Sequence, residues 1–179
     1  MISYRNTPLT YGMVAKCFHW LIAVLVIGML TLGYFLDDLP KTLQSTFYNL
    51  HKLTGLTILG LMILRLGWAL SNVKPILPAD TTAWERLVER VVHFTLYALL
   101  LLMPLAGWMG ASAAGKPPVI AGIKLAFPFH ETSKAFTDMM FVIHGNVALA
   151  LIALISLHIL AALYHHFIRK DTILKRMWF

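Results

Sequence analysis

Eight histidines stand in a chain of 179 residues that carries only 15 lysines and arginines. Four of them, His19, His51, His144 and His158, lie in or at the edge of long uncharged apolar runs. An imidazole placed in lipid is costly to bury and marks a functional site. A neutral imidazole nitrogen offers its lone pair to haem iron, and two such ligands leave the iron no open position. Iron held in that way passes electrons and does not readily bind oxygen. His144 and His158 are 14 residues apart. On a helix this puts them about 21 Å apart along the axis and within about 40° of the same direction. They occupy one face at two depths, and each needs a partner at its own depth.

The elements that must position these residues follow from the apolar runs. A spanning helix needs about 20 mostly apolar residues. Residues 17–36 (CFHWLIAVLVIGMLTLGYFL), 91–115 and 139–168 carry no Asp, Glu, Lys or Arg, and 53–70 is interrupted only by Arg65. We read four transmembrane helices at about 14–36, 48–70, 88–111 and 139–168. The first is expected to be retained, because the GYFLDDLP that follows it lacks the small-residue pattern of a cleaved signal. Nine Lys and Arg flank the membrane at the N-terminus, the 71–90 connection and the C-terminal tail, against five on the other side. The positive-inside bias therefore expects both termini in the cytoplasm.

Depth then pairs the histidines. His19 lies early in the first helix and matches His158, while His51 opens the second helix from the other side and matches His144. Facing helices are where bundles build cofactor sites. His93 on the third helix lies at the level of His158; it replaces His19 as a ligand, faces a haem propionate or faces a quinone. His165 returns to the His158 face about 10 Å nearer the cytoplasm. That suits proton transfer or a hydrogen bond to a quinone carbonyl, and it suits a membrane-surface histidine as well. Arg65 either pairs with a haem propionate or snorkels to the surface. Gly28, Gly55, Gly60 and Gly145 either admit a flat macrocycle or mediate close helix packing.

With 59% hydrophobic and 13% charged residues, the composition excludes a disordered chain and a nucleic-acid-binding arm. The single cysteine, Cys17, excludes an intramolecular disulfide framework. No phosphate-binding glycine loop, nucleophile elbow or zinc-protease motif is present, so hydrolytic chemistry has no footing. The lipid bilayer is the expected surrounding.

The residues also carry a resemblance. FHWLIAVLVIGM, NLHKLTGLTILGLMILRL, VVHFTLYALLLLMPLAGW, IHGNVALALIALISLHILAALYHH and the tail RKDTILKRM, in that order, resemble the bacterial cytochrome b561 family over essentially the whole chain. The resemblance implies a di-haem cytochrome of the bacterial inner membrane, with haem ligands on His19, His51, His144 and His158. Some members of that family act as superoxide oxidases, which pass an electron from periplasmic superoxide through both haems to ubiquinone. The quinone-side histidine would then be His165. Such members tend to carry a lysine just after the Pro-x-x-Pro of the inner loop, where this chain has Ala79, with Lys74 nearby.

The expected fold is all-α: one integral-membrane unit over residues 1–179, a four-helix transmembrane bundle holding two b-type haems. The expected function is transmembrane electron transfer between a periplasmic donor, superoxide first, and ubiquinone. A membrane subunit linking a periplasmic dehydrogenase or reductase to the quinone pool is the alternative. A histidine-lined metal transporter is a third reading, opposed by the lack of carboxylates in the spans.

Overall fold

The computed structural model of the chain describes residues 3–78, 80–128 and 131–179. Ala79 and His130 lie outside the described residues. Among those residues, four helices are long and apolar enough to cross a membrane. They are α1 (Met13–Phe35), α2 (Lys41–Leu70), α3 (Ala83–Ala113) and α4 (Lys134–Leu163). A short antiparallel hairpin, β1 (Val119–Ile120) and β2 (Ile123–Lys124), lies between α3 and α4, and a last short helix α5 covers Ile173–Met177.

α2, α3 and α4 begin five to seven residues before the expected spans, because their starts are set by local turn and cap residues and not by hydropathy. The α2 helix starts at Lys41 on Pro40, so its first two turns are polar. The α3 helix starts on a capping box: Thr82 accepts from the Glu85 amide, and the Glu85 carboxylate accepts from the Thr82 amide at 2.7 Å. Ser133 caps α4 through the Phe136 amide. At its far end α4 loosens into a π-helical turn over Tyr164–Arg169, which Lys170 terminates in a left-handed conformation.

Packing runs in chain order: α1 on α2, α2 on α3 and, most extensively, α3 on α4. Ile22, Val26, Ile58 and Met62 form a buried aliphatic layer at mid-height, and Leu151, midway between His144 and His158, is buried as well. The outward surface is apolar, with Val24 68%, Phe94 76% and Leu149 66% exposed. A soluble protein does not show so continuous an apolar surface, whereas lipid accepts it.

The two ends of the bundle differ. At the terminal face, the N-terminal segment, the 71–82 connection and the C-terminal tail are knitted together. Asn6 donates to the Val73 carbonyl, Thr10 to that of Arg176 and Trp20 to that of Met177. At the hairpin face, Asn49 of α2 pairs with both backbone groups of Val119, and Trp108 of α3 donates to the Leu125 carbonyl. The hairpin turns through Ala121 and Gly122, both with positive φ, as a two-residue turn of this kind requires.

Candidate functional site

Near the hairpin face, α2 brings His51 to within 6.1 Å of His144 on α4, ring centre to ring centre. His144 donates from Nδ1 to the Met103 carbonyl at 2.9 Å, which leaves Nε2 as its electron-pair donor. Gly107 on α3 makes that bond reachable. A side chain there would lie 2.9 Å from the His144 ring, so glycine alone lets the imidazole reach the carbonyl one turn earlier. Gly33 on α1 plays the same part for His51, where a Cβ would come within 3.1 Å of Cε1. Neither glycine is among the four singled out from sequence. Of those four, Gly55 lines the cleft beside this pair. Among the described residues, the buried His51 Nδ1 has no hydrogen-bond partner. The two rings face a cleft walled by Val26, Leu30, Ile58, Leu100, Pro104 and Leu151.

Near the terminal face, α1 and α4 hold His19 and His158 with ring centres 6.4 Å apart. His93 of α3 stands closer to His158, at 5.5 Å. Its Nδ1 is 2.8 Å from both the carbonyl and the carboxylate of Glu89, and that carboxylate binds Lys74 at 2.9 Å. Arg65 turns toward α1 and α3. Its guanidinium lies 3.2 Å from His19 Nδ1 and 5.4 Å from the centre of the Tyr97 ring. Because a guanidinium only donates, His19 here accepts at Nδ1. Outside the spans, burial pushes the Tyr11 phenol above its usual range, and the Glu89 charge adds to the effect.

The chemistry of the two pairs can be tested by distance. A metal–imidazole bond is about 2.0–2.1 Å and the bonded nitrogen lies about 1.2 Å from its ring centre, so imidazoles on opposite sides of one metal have centres about 6.4 Å apart. His51–His144 and His19–His158 match that spacing, and His93–His158 is too short for it. Among the described residues no group of three or more His, Cys, Asp or Glu gathers around a common point. A pair of imidazoles cannot hold a bare ion against water, but it suits iron whose other four positions belong to a macrocycle. The donor sets of both pairs, and the aliphatic walls and glycine-relieved rings of the hairpin-side pair, therefore fit haem.

Comparison with known proteins agrees. Residues 10–179 match the family model described as prokaryotic cytochrome b561. The chain belongs to the prokaryotic cytochrome b561 family. It is 32% identical over 180 residues to cytochrome b561 homolog 2 of Escherichia coli K12, covering 98% of this chain and 95% of that protein. It is 30% identical over 161 residues to the probable superoxide oxidase CybB of Yersinia pestis, covering 89% and 90%. Cytochrome b561 homolog 1 of E. coli K12 is 28% identical over 169 residues, covering 89% and 91%. This b561 chain is thus a multi-pass membrane protein of a family that uses b-type haem for transmembrane electron transfer.

His165 lies in the π-helical turn at the terminal face and is held by Asp171 at 2.5 Å. Glu89, Asp171, Gly33 and Gly107 were not singled out from sequence. The carboxylates lie outside the uncharged runs, and the glycines look like any others in an apolar helix. The only signal available was periodicity, since Glu89 is one helical turn before His93.

Proposed function

We propose that the chain carries two b haems, one between His19 and His158 and one between His51 and His144, and moves electrons from a periplasmic donor to ubiquinone. The observation that carries this reading is the repeated spacing of 6.1 and 6.4 Å in two imidazole pairs stacked along one bundle. When bound, haem iron supplies a one-electron centre at each level, and two levels about 21 Å apart on α4 span much of a hydrocarbon core of about 30 Å.

The chain's own residues do the rest. The Met103 carbonyl keeps His144 with its hydrogen on Nδ1, and such a bond both orients a ligand and raises its basicity. The aliphatic layer of Ile22, Val26, Ile58 and Met62 keeps water from between the two levels. Arg65 has a second task. If His19 held iron through Nε2, its hydrogen would stand on Nδ1, where the guanidinium now sits, and Arg65 would turn to an anionic partner. A haem propionate offers one, and Arg prefers such bidentate carboxylates. Glu89 holds His93 beside His158, with ring centres 5.5 Å apart, closer than two imidazoles that would share one iron.

The Lys and Arg bias supports a terminal face in the cytoplasm of a bacterial inner membrane, with the His51–His144 level toward the periplasm. Electrons enter there and leave near His165. Superoxide is the proposed donor, supported by the name of the Yersinia pestis relative. The test is to mix the oxidised, haem-loaded protein in quinone-free detergent with superoxide and follow haem reduction, then add a short-chain ubiquinone. Rapid reduction followed by reoxidation is expected. Haems that stay oxidised in superoxide exclude that donor, and reduced haems that ignore ubiquinone exclude that acceptor.

A further inference from the structure

The geometry points to Asp171 as a positioning residue that holds His165 ready to deliver a proton to a quinone carbonyl oxygen. This inference rests on the reading of His165 as the quinone-facing residue and says how that residue is made to work.

The turn after α4 is built to bring the two side chains together. Lys170, at φ 56°, reverses the chain, and the Asp171 amide donates back to the His165 carbonyl at 3.2 Å. The Asp171 carboxylate is then gripped at both oxygens. Oδ2 accepts from His165 Nδ1 at 2.5 Å, and Oδ1 accepts from the Ile173 amide at 2.9 Å. Both side chains are largely buried, at 19% and 12% exposure. Two residues before Asp171, Arg169 ties the turn to the start of α3 through Glu85 and to the 71–82 connection through Asp80 at 3.0 Å. The ring of Tyr164 stands edge-on to His165 at 5.9 Å. Asp171 and the turn that carries His165 are therefore anchored, and among the described residues no hydrogen bond reaches His165 Nε2.

The consequence is directional. A carboxylate only accepts, so the hydrogen on Nδ1 is fixed and Nε2 is the nitrogen presented outward. With a proton on Nε2 as well, the ring donates to a carbonyl oxygen while Asp171 faces the resulting positive charge. Reduction of a quinone to its quinol consumes two electrons and two protons. The electrons come along the chain's electron-transfer route. His165 Nε2 gives one proton to the nearer carbonyl oxygen and regains it from water at the terminal face. The second proton comes from the same water.

Asp171→Asn separates this role from mere folding. Asparagine has one oxygen for two donors. If it keeps the Ile173 amide, its NH2 group turns to Nδ1 and forces the opposite tautomer, as in the Asp-to-Asn change of the serine-protease triad. The experiment uses haem-loaded protein, reduced anaerobically and mixed either with a short-chain ubiquinone or with ferricyanide, which takes an electron and needs no proton. For Asp171→Asn the maximal rate with ubiquinone is expected to fall about 10²-fold, with little change in the half-saturating quinone concentration. The ferricyanide rate and the haem spectrum should be those of the wild type. Asp171→Glu should recover part of the rate, and adding His165→Gln to Asp171→Asn should cost little more, because the two act as one unit. Asp171→Asn at the wild-type quinone rate overturns the inference and leaves the quinone reading standing. Equal losses with both oxidants also overturn it, since they indicate a structural defect. A wild-type protein oxidised by ferricyanide but never by ubiquinone removes the quinone reading and this inference with it.

Discussion

Gly107→Ala is the sharpest perturbation of the hairpin-side pair. A Cβ on residue 107 would stand 2.9 Å from both Cε1 and Nδ1 of His144. Ordinary carbon contacts are about 3.5–4.0 Å, so the ring must give way by roughly 0.6 Å or more. That movement cannot be absorbed quietly, because the same ring is tied to the Met103 carbonyl at 2.9 Å. Losing that bond costs about 1 kcal/mol, and overpacking adds about 1–3 kcal/mol. The larger effect is on ligation. Metal sites hold their distances to about 0.2 Å, several times less than the forced displacement. Gly107→Ala should therefore lose the haem between His51 and His144 while keeping the other. Gly33→Ala, whose Cβ meets His51 Cε1 at 3.1 Å, should weaken the same haem less. Gly67→Ala, with nothing within 4 Å, serves as the control. The assay is reduced-minus-oxidised spectroscopy with haem quantitation, alongside thermal melting of each variant. Gly107→Ala with a full haem complement and an unchanged spectrum would refute the reasoning, as would a greater loss in Gly33→Ala.

Three further outcomes follow from the same geometry. His51→Ala and His158→Ala should each remove one haem, and not the same one; loss of the same spectral component by both would break the pairing. Arg65→Gln removes a cation beside the His19–His158 level, which favours the more positive oxidised iron, so one midpoint potential should fall in a redox titration while the other holds. A rise, or equal shifts in both, would count against that placement. The Tyr11 phenol, raised above 10.0 by burial, holds its proton more tightly in the folded chain than in the unfolded one. Its contribution to stability is complete below about pH 10 and is lost as pH rises through the folded value. Tyr11→Phe should flatten the alkaline fall in melting temperature, and an unchanged alkaline profile would contradict this.

The helices were legible because lipid imposes a strong rule, obeyed by three uncharged runs of 20 residues or more and by a fourth of 18 broken only by Arg65. Their ends were not. The α2 helix begins at Lys41 and α3 at Ala83 because Pro40 and the Thr82–Glu85 capping box start helices that hydropathy overlooks. The depth argument put His19 and His93 at the level of His158 and His51 at that of His144, since a rise per residue is all it needs. It could not anticipate the Met103 carbonyl or the two glycines, because those depend on how α3 and α1 rotate against their neighbours. Arg65 shows the same limit. Its presence in a span was plain, but its contact with His19 and Tyr97 comes from the packing of α1, α2 and α3. The two-residue hairpin was not anticipated, since strands of that length carry no alternation to read.

The central claim is that two imidazole pairs each hold a haem. The direct measurement is the haem content and reduced spectrum of the purified protein, with iron and polypeptide quantified on the same sample. Two low-spin b haems per chain, with no absorbance change on adding carbon monoxide to the reduced protein, is the predicted result. One haem per chain, or a reduced iron that binds carbon monoxide, would contradict it.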